Sequence, residues 1–112
     1  AAASAGARYA IMTTRHHDGY SMWPTRTSAH NITLGGYAGD PVREFVEACR
    51  AHGLRVGFYY SLPDWHHPDY PAFREEQKPY VFGRYPMPGP EQWQRFLGYI
   101  EAQLTELLTN YG

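Results

Sequence analysis

Two corners with the same residue pattern, Gly6-Ala7-Arg8 and Gly53-Leu54-Arg55, constrain this chain more than any other feature. Each places a glycine, the residue that most readily closes a helix in the left-handed conformation, directly before an apolar run. After the first corner, residues 8–14 read as a short strand, and Gly6 would close a preceding helix of which only a stub is present. After the second, Leu54 to Ser61 reads as another strand. It shows no polar/apolar alternation, as expected of a strand buried on both faces. Between the strands, Asp40-Pro41 supply an N-cap and a first-turn proline. Val42, Phe45, Val46 and Cys49 then recur at helical spacing until Gly53. A further helix is expected from Gly89-Pro90-Glu91, with the apolar stripe Trp93, Phe96, Leu97, Ile100, Leu104, Leu107 and Leu108, ending around Asn110–Gly112.

Strand–helix units that follow one another this way imply a parallel sheet with helical crossovers. The connections are lopsided. Helix-to-strand links take one or two residues, whereas the strand-to-helix links run over about residues 15–39 and 62–89. Long strand-to-helix loops are where a (β/α)8 barrel builds its active site. A doubly wound open sheet gives the same alternation, but two such loops in consecutive units favour the barrel. A whole barrel takes about 250 residues. At 112 residues the chain is therefore expected to be a fragment of a (β/α)8 TIM barrel, two complete βα units with partial flanks, truncated at both ends.

Composition removes several function classes. Ten basic residues against 11 acidic ones leave a net charge of −1, with no basic stripe for nucleic acid. No apolar run approaches the ~18 residues of a membrane span. The lone Cys49 cannot form an internal disulfide and belongs to the apolar face of its helix. Aromatic residues make up 16%, including ten Tyr and three Trp. Flat amphipathic rings beside polar groups suit the apolar and hydroxylated faces of a sugar, although a Tyr-rich core has the same composition.

The first strand runs into Arg15-His16-His17-Asp18-Gly19-Tyr20. Two imidazoles at a strand tip can donate and accept hydrogen bonds to vicinal hydroxyls, with Asp18 placed to fix a tautomer. Gly19 permits a sharp turn that brings both rings to one ligand. A solvated His pair is the plainer reading. Metal binding by His16, His17, Asp18, His66, His67 and Asp69 is the rival use. Its spacing is poor, because adjacent residues of an extended chain point to opposite sides.

The second strand ends in Phe58-Tyr59-Tyr60-Ser61 and leads to Leu62-Pro63-Asp64-Trp65-His66-His67-Pro68-Asp69-Tyr70. Alternation puts Tyr59 and Ser61 on one face and Phe58 and Tyr60 on the other. Gly57, on the Tyr59 face, would leave room for an inward phenol. Trp65 and Tyr70 either meet a ligand or form the loop's own small core. Asp18, Asp64 and Asp69 are the acids at strand ends. Each lies among residues able to pin it structurally, so none is assigned as a nucleophile.

Residues 9–20, Tyr-Ala-Ile-Met-Thr-Thr-Arg-His-His-Asp-Gly-Tyr, resemble the His-His-Asp-Gly-Phe segment of family 29 α-L-fucosidases, with Tyr20 in place of Phe. Leu54 to Tyr70 resembles that family's next strand and its Tyr-x-Ser-Leu-x-[Asp/Glu]-Trp loop. Leu104 to Gly112 resembles the helix end leading into its nucleophile strand. The resemblance implies hydrolysis of terminal α-L-fucosyl groups of an oligosaccharide or glycoconjugate, with retention and without a cofactor or metal. His16 and His17 match the family's two histidines that hydrogen-bond fucose hydroxyls. Tyr59 matches a tyrosine near the nucleophile; Tyr60 does not, its place being taken by His in some relatives. Trp65 is a possible loop contact. The nucleophilic Asp and the acid/base match positions beyond Gly112, so the isolated chain is expected to be inactive toward an aryl α-L-fucoside. A secreted, periplasmic or lysosomal setting is compatible with the resemblance. A non-catalytic carbohydrate-binding remnant and a metal-dependent TIM-barrel hydrolase are the alternatives.

Overall fold

The computed structural model describes residues 1–71 and 87–112. Its order is β1 (Tyr9–Arg15), α1 (Pro41–Ala51), β2 (Arg55–Tyr60) and α2 (Pro90–Tyr111), with 3-10 turns at Ala3–Ala5 and Ile32–Gly35. The strands pair in parallel, from Tyr9 opposite Arg55 to Thr13 opposite Tyr59. The two Gly-x-Arg corners therefore lie side by side, and the Arg55 amide donates to the Arg8 carbonyl. Gly6 and Gly53 have φ of 83° and 68°, where a side chain would be strained.

Asp40 caps α1 by accepting from the Arg43 amide through Oδ1, and its Oδ2 accepts from the Tyr111 phenol at 2.7 Å. One carboxylate thus fixes the start of α1 and the end of α2. From the last turn of α1, the Arg50 guanidinium donates to the Tyr111 carbonyl. Cys49 is buried, as its helical position predicts.

Both helices cover one face of the sheet. The core on that side is Trp23, Val42, Val46, Leu107 and Tyr111, with Met12, Val56, Phe58 and Tyr60 packed against it. The opposite face carries Tyr9 and Ile11, both largely exposed, together with Tyr59. The expectation of a strand buried on both sides therefore fails for β2 within the described residues, because only one side has a helical layer. The room expected at Gly57 is also used differently: a Cβ there would meet the Ile11 side chain of β1 at 3.1 Å.

The buried stripe of α2 departs from the sequence reading. Phe96, Ile100 and Leu107 face inward, but Leu97 and Leu108 are exposed, and Gln103 and Tyr111 are buried instead. Gln103 can be buried because its amide is satisfied on both sides. It accepts from the Tyr60 phenol at 2.7 Å and donates to the Ser21 hydroxyl.

The long β1–α1 connection is tied to α2 by Glu106, whose carboxylate accepts from the Trp23 indole, the Thr25 hydroxyl and the Arg26 amide. Burial alone would raise its pKa, yet the hydrogen bonds from Thr25, Trp23 and Arg26 outweigh that and hold it below the ordinary glutamate value. A depressed carboxylate pKa stabilises the fold above the unfolded-state value, and that stability is lost as pH falls through the folded value. Glu106→Ala is expected to cost about 2 kcal/mol at neutral pH, as charged hydrogen bonds do. The urea-midpoint difference between wild type and variant should shrink below the ordinary glutamate pKa. A variant as stable as wild type at pH 7 would remove the tether.

Candidate functional site

The C-terminal ends of β1 and β2 lie side by side, so their two loops rise from one edge. A bulge between Thr13 and Arg15 interrupts the ladder there: Thr13 pairs with Tyr59, and Arg15 pairs with Tyr60. The extra residue re-aims the strand end, and Thr14 and Arg15 are both fully buried. The Arg15 guanidinium lies 4.8 Å above the Tyr60 ring and 5.5 Å from that of Tyr99.

Arg15 joins the two loops. Nη2 pairs with Asp64 Oδ2, and Nη1 donates to the Ser61 carbonyl at 2.7 Å. The other Asp64 oxygen accepts from the amides of His66 and His67, both at 2.9 Å. Asp64 is therefore spent on structure, and at 1% exposure it is shielded from solvent. Gly19 lies against the same carboxylate, into which any Cβ would project, at φ 74°. The glycine turn and the buried acid fit one another.

That frame brings together the residues singled out from the sequence. The His16 and His17 rings are 4.3 Å apart, His16 stacks on Tyr59 at 5.8 Å, and His17 is 5.2 Å from Trp65. The expectation that adjacent imidazoles diverge fails because β1 stops at Arg15, and a turn closed by the Gly19 amide on the His16 carbonyl carries both rings. His17 Nδ1 hydrogen-bonds the Ser61 hydroxyl. Asp18 does not take the tautomer-fixing role expected of it; its carboxylate accepts from the Tyr20 amide. Trp65 is 60% exposed beside His17, whereas Tyr70 packs on Phe96 at 5.0 Å, so these two do not form one loop core.

The remaining polar groups are directed elsewhere. His66 stacks on His30 at 3.9 Å, and His30 meets the Tyr20 ring edge-on. His67 packs against Tyr99 and Phe96, and burial holds its pKa below the ordinary histidine value. Asp69 makes a bidentate pair with Arg95, whose hydrogen bonds hold its carboxyl below the usual range. Among the described residues, no group of three or more His, Cys, Asp or Glu is arranged to hold a metal ion. No helix there is long and apolar enough to cross a membrane. Arg15 and Ser61 are the functional-frame residues that sequence reasoning passed over. The signal for them was their place at the C-terminal ends of two adjacent strands, Arg15 as the last residue of β1 and Ser61 directly after β2.

The family model for alpha-L-fucosidase matches residues 1–112, the whole chain. The chain belongs to the alpha-L-fucosidase family. A putative alpha-L-fucosidase 1 of rice is 34% identical over 118 residues, covering 100% of this chain and 18% of the relative. Alpha-L-fucosidase isoenzyme 1 from Paenibacillus thiaminolyticus superposes with a TM-score of 0.79 at 43% identity, over 99% of this chain and 26% of that one. A glycoside hydrolase family 29 fucosidase from Bacteroides thetaiotaomicron, solved as a trapped covalent intermediate with 2-fluoro-fucosyl fluoride, superposes at 0.78 and 31% identity. It is matched over 98% of this chain and 23% of its own. The fucosidase-family chain thus spans less than a third of the length of these relatives. Its two strands and two helices match family 29 fucosidase structures over nearly the whole chain.

Proposed function

We propose that this chain supplies part of the substrate-binding wall of a retaining α-L-fucosidase, as two βα units of a (β/α)8 barrel. The observation that carries the proposal is the cluster of His16, His17, Tyr59 and Trp65 at the C-terminal ends of two parallel strands. That edge is where barrel enzymes bind substrate. Imidazole nitrogens and a phenol hydrogen-bond ring hydroxyls, and an exposed indole packs on the apolar face of a sugar. The substrate is a fucosylated oligosaccharide or glycoconjugate.

Retention needs two carboxyl groups about 5–5.5 Å apart, one acting as nucleophile and one as acid/base. Asp18, Asp64 and Asp69 are each committed to a backbone amide or an arginine. None of the three is offered as a catalytic acid, and the family resemblance puts the nucleophile and acid/base in parts of the enzyme outside this chain. A covalent intermediate in the Bacteroides relative is in keeping with a nucleophilic carboxylate in that enzyme.

The test is kinetic, in the full-length enzyme with an aryl α-L-fucoside. His16→Ala and His17→Ala are each expected to lower kcat/KM by about 5- to 150-fold, the equivalent of the roughly 1–3 kcal/mol lost when a buried hydrogen bond loses one partner. His66→Ala should do less, because its ring is engaged with His30. Wild-type kinetics for both His16→Ala and His17→Ala would take these residues out of the sugar site.

A further inference from the structure

We infer that Ser61 is a positioning residue for the site: its hydroxyl holds His17 in the tautomer that presents an Nε2–H donor to a sugar hydroxyl. The inference rests on the fucose-binding role proposed for His17. Ser61 is 3% exposed, and its backbone is held on both sides by one residue. Its amide donates to the Arg15 carbonyl at 3.1 Å, and its carbonyl accepts from Arg15 Nη1 at 2.7 Å. Arg15 is itself fixed by the buried Asp64. The direction of the Ser61 hydroxyl is therefore set by the frame that joins the two loops.

A serine hydroxyl has one proton to give. The Pro63 carbonyl lies 3.5 Å from Oγ, beyond the usual range of an O–H···O bond, whereas His17 Nδ1 is in direct hydrogen-bonding contact. The proton therefore goes to Nδ1. An imidazole that accepts at Nδ1 carries its own proton on Nε2, which leaves Nε2–H as the donor. The His17 backbone is held as well, since its carbonyl accepts from the Trp65 amide at 2.7 Å. With backbone and Nδ1 both tied, the ring has one remaining polar atom, presented in one tautomer. A sugar hydroxyl that meets it must act as the acceptor.

The test is run on the full-length enzyme with histidine ring nitrogens labelled by 15N. Long-range proton–nitrogen spectra of the ligand-free wild type at neutral pH should show His17, identified by its loss in His17→Ala, as a single tautomer protonated at Nε2. Ser61→Ala should give a tautomer mixture and lower kcat/KM for an aryl α-L-fucoside about 10-fold, the scale of one lost hydrogen bond. Ser61→Thr, which keeps the hydroxyl, should recover the wild-type spectrum and most of the activity. Three results would overturn the inference. These are an Nδ1–H tautomer in the wild type, an unchanged tautomer in Ser61→Ala, and a changed tautomer with unchanged kcat/KM. Wild-type kinetics in His17→Ala combined with a tautomer change in Ser61→Ala would instead remove the fucose-binding reading and leave the Ser61–His17 coupling standing.

Discussion

Asp64→Ala is expected to destabilise the full-length protein by about 3–5 kcal/mol, the cost of stranding the partner of a buried ion pair. Arg15 is fully buried, and without Asp64 its guanidinium would keep, among the described residues, the Ser61 carbonyl and the faces of Tyr60 and Tyr99. The amides of His66 and His67 would lose their acceptor at the same time. Arg15→Met should be similarly costly on its own, since it leaves a buried carboxylate without its cation. The double variant Arg15→Met, Asp64→Ala is the discriminating case. With no unpaired charge remaining, it should be more stable than the sum of the single changes predicts. Urea midpoints at constant m measure all three. An Asp64→Ala variant within 0.5 kcal/mol of wild type, about the scatter of an ordinary surface change, would show that the pair does not hold the loops.

The same pair marks the limit of what the sequence made legible. Local chemistry announces the helix starts and stops. Asp40-Pro41 caps α1, and Gly6 and Gly53 take the left-handed conformation their corners require. Parallel pairing followed from the order of the units. Arg15, by contrast, looks like a solvated charge at a strand end. Its burial depends on a bulge at Thr14 and on a carboxylate 49 residues away. Gln103 was missed for the same reason: Tyr60 and Ser21, the partners that permit its burial, are 43 and 82 residues distant. A purely apolar stripe puts Leu97 and Leu108 inside, where the fold buries Gln103 and Tyr111 instead. His16, His17 and Tyr59 are visible in the sequence at strand ends, and Trp65 in the loop that follows the second. Their convergence is not, because it arises from a parallel register and a turn that bring two loops together.

Tyr59 and Tyr60 are adjacent in sequence and opposite in environment, and the fold separates what their substitution should do. Tyr59 is 44% exposed on the face away from the helices, with its ring stacked on His16. Tyr60 lies under the helices beside Trp23, its hydroxyl donates to Gln103, and burial pushes its phenol well above the ordinary tyrosine pKa. In the proposed fucosidase, the Tyr59 hydroxyl would hydrogen-bond the nucleophilic carboxylate, whose charge changes in the transition state. Tyr59→Phe keeps the ring and removes only that hydroxyl. It is expected to lower kcat about 10-fold or more in the full-length enzyme, with the melting temperature nearly unchanged. Tyr60→Phe removes one hydrogen bond to Gln103, which keeps Ser21 as a partner. Its expected cost is about 1 kcal/mol of stability, with kcat close to wild type. Tyr60→Ala also removes the ring from between Arg15, Trp23 and the sheet, and should destabilise by about 3–5 kcal/mol. Thermal melts and steady-state kinetics on the three variants separate the two roles. Loss of kcat in Tyr60→Phe at an unchanged melting temperature would reassign the functional face to Phe58 and Tyr60.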